Sequence, residues 1–468
     1  MSIEPIGLLT LLIGLICLQL GHRATFTAFL IAALLGSAAA LLIGSANIQP
    51  AHLLLGFVAI AVFRRKDESA TAMHALGLPK PGFWLMCLAL YGVLTAICVP
   101  RLLAGITSIV PLGTSEYAMT NSGVPLGPVS SNFTQSVYMI GDLICFMMTA
   151  AIASTRTGFL AITSAMIASA AANLAFAVLD IATFSTGTQF TLEFIRNAQY
   201  TLHNEEEISG LKRIVGSFPE ASAFARETLG ALGFTGTLFL CGYRPALTGA
   251  IALASLVAVV LSTSSTGLAG TMPALLILYA VLVGRGFNLA ARPYSSAAMI
   301  CGPLFVAVLG TAILIDDKSS QIVRDYFDLL IFNKSTSNSG IERETWNNFG
   351  LRNFFDSYGI GVGLGTVRTS SLPYALLANV GVPGSLFYVI FLVSALFKRR
   401  GANGTFPSVV RLASRNACLS LIIGDCFAAP NVEQGLIFYV LAALACAEPE
   451  HDIRIATFSA RRPIEVIT

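Results

Sequence analysis

The sequence predicts an all-α, polytopic transmembrane helix bundle, and three observations carry that prediction. The 468 residues are 55% hydrophobic and only 11% charged, with a mean hydropathy of +0.75, whereas a soluble protein carries about 25% charged residues. Runs of mostly apolar residues near the roughly 20 needed to cross a bilayer recur along most of the chain, as at 24–44, 246–262 and 297–315. Between the runs, short loops concentrate Lys and Arg, which marks them as cytoplasmic.

Those loops set the topology. "RRK" at 64–66 and "KRR" at 398–400 are the clearest, and Arg156, Arg244, Arg285, Arg292 and the pair Arg461 and Arg462 fit the same side. With these inside, spans are expected near 5–20, 24–44, 48–63, 82–99, 134–153, 157–180, 224–242, 246–262, 267–283, 297–315, 374–397, 412–428 and 435–447. The count is about 12, because the last two runs are short and broken by Pro430. The opening "MSIEPIGLLTLLIGLICLQL" lacks a basic start and a small-residue cleavage site, so a first span is expected there rather than a removable signal peptide. Residues 1–447 then form one membrane domain and 448–468 a cytoplasmic tail. Three polar segments, near 101–131, 185–223 and 316–373, fall on the outer side. They are long for connections in a compact bundle, and such loops usually carry function. No internal repeat supports an inverted-repeat transporter.

Composition also excludes classes. A net charge of +3 is too small for nucleic-acid binding. The nine cysteines lie in or beside apolar runs without a CxxC, so neither a disulfide framework nor a zinc site is expected. None of the five histidines lies in the third loop, leaving Ser-His-Asp and metal-histidine chemistry without support. Neither metal nor cofactor is expected.

The segment "SYGIGVGLGTVRTSS" (357–371) looks like a dinucleotide loop and is not one. Gly359, Gly361, Gly363 and Gly365 alternate strictly, whereas the fingerprint G-x-G-x-x-G would need glycine at 364 or 366, where Leu364 and Thr366 stand. Close backbone approach, with N–H groups turned towards an anion beside Arg368, is the better expectation. The outer loops also hold Lys212, Arg213 and Glu220 in the second loop and Arg343, Arg352 and Arg368 in the third. Arginine's planar fork suits phosphate oxygens, and several beside glycine-rich backbone would seat a diphosphate. An isolated loop arginine more often pairs with a nearby acid, here Glu205, Glu206, Glu207, Glu342 or Glu344. Apolar or glycine-rich flanks favour binding for Arg213, Arg343 and Arg368. The stretch 319–332 can form an interfacial amphipathic helix, and Trp346, Phe349, Phe354 and Phe355 suit the bilayer interface. Asp142 and Asp425 fall within spans, where an acid is either functional or a strut between helices.

With these residues in view, the sequence resembles bacterial O-antigen and exopolysaccharide polymerases of the Wzy type and the related O-antigen ligases. Four segments carry the resemblance: "SSNFTQSVY" (130–138); "LKRIVGSFPEASAFA" (211–225), with Arg213, Gly216 and Phe218 matching R-x-x-G-x-F; the hinge "LSTSSTGLAG" (261–270); and "RETWNNF…GIGVGLG…LLANVGVPGSLFYVIF" (343–391). There are two departures. Ser370 and Ser371 stand where ligases carry a His-Asn pair, and Ser265 or Thr266 stands where many members place an arginine. The missing histidine points to a polymerase. The resemblance implies a GT-C-like glycosyltransferase on the periplasmic face of the inner membrane, acting on a glycan linked to undecaprenyl diphosphate. It implies Arg213, Arg343 and Arg368 on the diphosphate, Lys212 and Arg352 as weaker partners, and Glu220 as the base. A ligase and a lipid-linked oligosaccharide flippase are the competing readings. The implied partners are the membrane lipid, a chain-length regulator and a flippase.

Overall fold

In the computed structural model the described residues are all but 1, 44–45, 121–122, 201, 204, 209–210, 287–310, 312–314, 331–335 and 451–468. They form a mostly helical bundle with three small antiparallel sheets at one end. In order the elements are β1 (Ser2–Ile3), α1 (Pro5–Leu20), α2 (His22–Ala32), β2 (Leu41–Ile43), β3 (Ala46–Ile48), α3 (Pro50–Phe63), α4 (Lys66–His74) and α5 (Pro81–Leu102). There follow β4 (Ser108–Ile109), β5 (Val124–Pro125), α6 (Ser130–Ala153), α7 (Arg156–Thr186), a 3₁₀ segment (Gln189–Ile195), β6 (Glu207–Ile208), β7 (Leu211–Lys212), α8 (Ala221–Leu240), α9 (Pro245–Leu261) and α10 (Ser265–Gly286). The last are α11 (Asp317–Leu330), α12 (Asn338–Asp356), α13 (Leu372–Leu392), α14 (Phe406–Phe427) and α15 (Leu436–Cys446).

Many of these helices start where the sequence says they should. Proline occupies the first or second position of α1, α3, α5, α9, α13 and α14, where its missing N–H costs no helical bond. Five helices are long and apolar enough to cross a membrane: Pro81–Leu102, Ser130–Ala153, Arg156–Thr186, Ser265–Gly284 and Leu372–Phe397. α1, α3, α9 and α15 are apolar but shorter. The run at 297–315 lies almost entirely outside the described residues.

One expected span is corrected. The stretch 24–44 is apolar throughout, yet α2 ends at Ala32. The chain then leaves the helix to dock on the second loop: Ser37 N donates to Ser217 O at 3.0 Å, and Ser217 Oγ donates to Leu34 O at 2.7 Å. Leu41–Ile43 becomes the middle strand of β1-β2-β3, with Leu41 opposite both Ile3 and Ile48. Hydropathy alone reads such a stretch as a span because strand pairing satisfies its backbone as well as a helix would.

The basic corners gather at one end. Phe406, at the start of α14, packs on Phe159 near the start of α7 and on Tyr243 at the α8–α9 corner. His22, at the α1–α2 corner, reaches Glu68 of α4 at 2.9 Å, and Arg65 reaches the same carboxylate at 2.8 Å. The small pairings and the first and second long loops occupy the opposite end.

α8 and α14 form the polar spine. Gly230 and Gly233 let the two backbones close up: a Cβ at Gly233 would stand 2.6 Å from Ser420 Oγ and 3.0 Å from Asn416 O. Small residues at such a crossing allow close van der Waals packing. Asn416 Nδ2 also donates to Thr237 Oγ1 at 3.0 Å across the same interface. α8 and α14 carry Arg226, Glu227, Arg411, Arg415 and Asp425, which explains why neither is apolar enough to stand among the five long helices.

Candidate functional site

The glycine segment is built for close approach, as expected, but the approach is to protein. Gly359, Gly361, Gly363 and Gly365 all have positive φ, from 77° to 104°, a region open to glycine without steric cost. A Cβ at Gly361 would meet Gly381 N at 2.6 Å and Asn379 O at 2.7 Å. The N–H groups turn inward: Gly361 N donates to Ser357 Oγ, Val362 N to Ala378 O and Gly363 N to Asn379 O. The expectation that they face an anion is therefore corrected. The partners of Val362 and Gly363 lie on α13, which is broken at Gly381 (φ 59°, ψ −161°). Asn379 plugs the break, accepting from Val367 N at 3.0 Å and donating to Val367 O and Ala375 O at 3.1 Å. From the other side Ser131 Oγ donates to Gly365 O, and Asn132 Nδ2 to Leu364 O. Two of the sequence segments singled out above thus lock together.

That lock positions two of the predicted cations. Arg368 is exposed, with its N–H on Val110 O at 2.9 Å and its guanidinium 4.2 Å above the Trp346 ring. Stacking of this kind holds the fork while its in-plane N–H groups stay available. Arg343 lies one helical turn before Trp346 and donates to Phe427 O at 3.2 Å. Ser370 joins the two stretches, its N–H on Asn347 Oδ1 at 2.9 Å and its Oγ donating to Arg343 O at 3.3 Å. Arg368 therefore stacks on Trp346, and Arg343 stands one turn earlier on the same helix, its backbone tied to the Arg368 stretch through Ser370.

The other predicted cations are engaged elsewhere. Lys212 is 7% exposed, 3.3 Å from Asp180 and 5.1 Å above the Phe184 ring. Asp180 also takes Arg196 at 2.7 Å and the N–H groups of Val215 and Gly216. This buried knot anchors the second loop, and burial lowers the Lys212 ammonium below the usual lysine range, partly opposed by Asp180. Lys212, expected as a weaker phosphate ligand, here helps to anchor the second loop. Arg213 pairs with Glu206, as the acid-pairing alternative anticipated. Arg352 is 66% exposed and 3.4 Å from Asp356, one turn on along its own helix. Glu220 is the N-cap residue of α8, and its carboxylate accepts from Ser222 Oγ.

The sequence reading missed the most connected group. Arg226, on the second turn of α8, holds Asp425 through Nε and one terminal nitrogen, both at 2.8 Å. It also donates to Gln434 O at 2.8 Å and stands 3.4 Å from Glu227. Gln434 returns Nε2 to Asp425 at 3.0 Å and takes the Tyr388 hydroxyl on its Oε1 at 2.7 Å. Glu433, next in chain, accepts from Gly435 N, and burial pushes its carboxyl up. Asp425 was visible in the sequence because it interrupts an apolar run. Arg226 and Glu227 sit within the first two turns of α8, close to the start of the expected span at 224, where charge is ordinary. The only available signal was the Arg-Glu pair of "FARETLG" inside an otherwise apolar helix.

The α14–α15 connection thus touches Arg343 at Phe427 and Arg226 at Gln434. Arg226 is already saturated by carboxylates, so a phosphate would find its free donors on Arg343 and Arg368. The acids near the connection can take a proton. Among the described residues no three His, Cys, Asp or Glu side chains converge as metal ligands.

No protein-family model matches this chain, and no curated protein matches it.

Proposed function

We propose that the chain is a bacterial polysaccharide polymerase of the Wzy-like kind. It would join oligosaccharide repeats carried on undecaprenyl diphosphate, at the periplasmic face of the inner membrane. About 12 crossings with a GT-C-like arrangement belong to the same proposal, with the three long loops outside. The observation that carries it is Arg368 stacked on Trp346 with Arg343 one helical turn away, tied to the same stretch through Ser370 and touching the α14–α15 connection that carries Glu433.

The chemistry follows from that placement. A hydroxyl of one lipid-linked repeat attacks the anomeric carbon of another. The C–O bond to the diphosphate breaks, and its electron pair goes to the leaving diphosphate oxygen. Arg343 and Arg368 stabilise that growing charge more in the transition state than before it. The acceptor proton passes to a carboxylate, with Glu220 and Glu433 as the candidates. Glu433 joins Glu220 because burial raises its carboxyl, which makes its carboxylate a stronger proton acceptor than a solvated one. Ser370, where ligases carry histidine, is a strut between Asn347 and Arg343, which favours polymerase over ligase.

Deleting the gene and sizing the cell's polysaccharide beside its lipid-linked pool tests the reading. Single repeats in place of long chains support it. Long chains stranded on undecaprenyl diphosphate mean a ligase, and donor that never reaches the outer leaflet means a flippase.

A further inference from the structure

The end opposite the long loops holds a second cationic site that the proposed reaction does not use. A cavity of about 300 Å³ opens between the end of α13, the start of α14 and the end of α15. Five basic side chains line it: Lys398, Arg399, Arg400, Arg411 and Arg415. Leu396, Leu412 and Ala445 add apolar surface to the lining.

Two of the five are already spoken for. Arg411 grips Glu450 at 2.9 and 3.1 Å and donates to Ala447 O at 3.1 Å. Arg400 binds the carbonyls of Ala395 and Ser394 at 3.0 and 2.6 Å and lies 3.7 Å from Glu448. Lys398, Arg399 and Arg415 have no carboxylate partner among the described residues. The Arg415 Nε is fully buried there without an acceptor. A buried charged donor left unmet, as at Arg415, is costly, and with the exposed Lys398 and Arg399 it puts three positive charges around one opening, which an anion among them would offset.

We propose that this cavity binds a phosphate group, with Lys398, Arg399 and Arg415 as its ligands. The ligand is either the phosphodiester head of an anionic phospholipid or a soluble phosphate. Apolar lining beside cationic groups suits a headgroup whose chains run down the bundle. The site is separate from Arg343 and Arg368, so its failure would leave the proposed reaction standing.

The test uses the full-length chain in two settings. In lipid-depleted detergent it is titrated with inorganic phosphate, and binding is read by calorimetry. In nanodiscs of phosphatidylcholine with phosphatidylglycerol, the phosphatidylglycerol retained on the chain after release is counted by native mass spectrometry. The variants are Arg415→Gln and the double variant Lys398→Ala/Arg399→Ala, whose two side chains are exposed and can be removed without disturbing packing. The expected result is binding in at least one setting, weakened about tenfold or more by the double variant. Phosphate binding in detergent identifies a soluble ligand; phosphatidylglycerol retention without it identifies a lipid head. No binding in either setting, or binding that the double variant leaves unchanged, overturns the proposal.

Discussion

Replacing Arg226 by methionine keeps the length of the side chain and removes its charge. Asp425 then loses two charge-assisted hydrogen bonds of 2.8 Å and Gln434 O loses a third. Gln434 Nε2, at 3.0 Å, is the remaining side-chain donor to Asp425. Breaking one side of a buried ion pair costs about 3–5 kcal/mol, because the other charge stays buried. Unfolding entropy of about 2 cal/mol/K per residue, over 468 residues, makes that a fall in Tm of about 3–5 °C. The assay is thermal unfolding of purified protein in detergent, followed by loss of the monodisperse chromatographic peak. Adding Asp425→Asn to Arg226→Met should restore much of the loss, since the stranded charge is gone. An Arg226→Met protein that melts with the wild type would refute the idea that this pair holds the α14–α15 connection.

Three further outcomes follow from the same geometry. Gly361→Ala should destabilise the protein by about 1–3 kcal/mol, since φ is 85° and the new Cβ would lie 2.6 Å from Gly381 N; thermal unfolding checks it. Burial lowers Lys212, so between that lowered value and 10.5 the unfolded chain binds the extra proton and stability rises with pH. Tm measured from neutral to alkaline pH should show this rise in the wild type and a smaller one in Lys212→Met. Arg343→Ala and Arg368→Ala should each slow glycosyl transfer by about a hundredfold or more with little change in Tm, read as polymer formed per unit of purified enzyme.

The helical class and most helix positions were legible because long apolar runs and proline starts are local signals. The exception, 24–44, misled because a paired strand and a span share the same hydropathy, and the difference lies in a distant partner, Ser217. At the candidate site, Arg343 and Arg368 were legible as cations in a long polar segment, yet the stacking of Arg368 on Trp346, one turn from Arg343, depends on the fold of 357–371. The same fold turned the glycine N–H groups inward, which the alternation of Gly359, Gly361, Gly363 and Gly365 does not encode. Arg226 was missed because its importance lies in a residue 199 positions away, Asp425. Lys212 and Arg213 looked like ligands because their partners, Asp180 and Glu206, are set by tertiary folding of the second loop.

The central claim is tested most directly by placing the purified chain in proteoliposomes with an undecaprenyl-diphosphate-linked repeat as the only substrate. The account predicts a ladder of longer glycans, with one undecaprenyl diphosphate released per linkage, lost in Arg343→Ala/Arg368→Ala. Unchanged substrate with no diphosphate released, or a ladder that the double variant makes as well as the wild type, would contradict it.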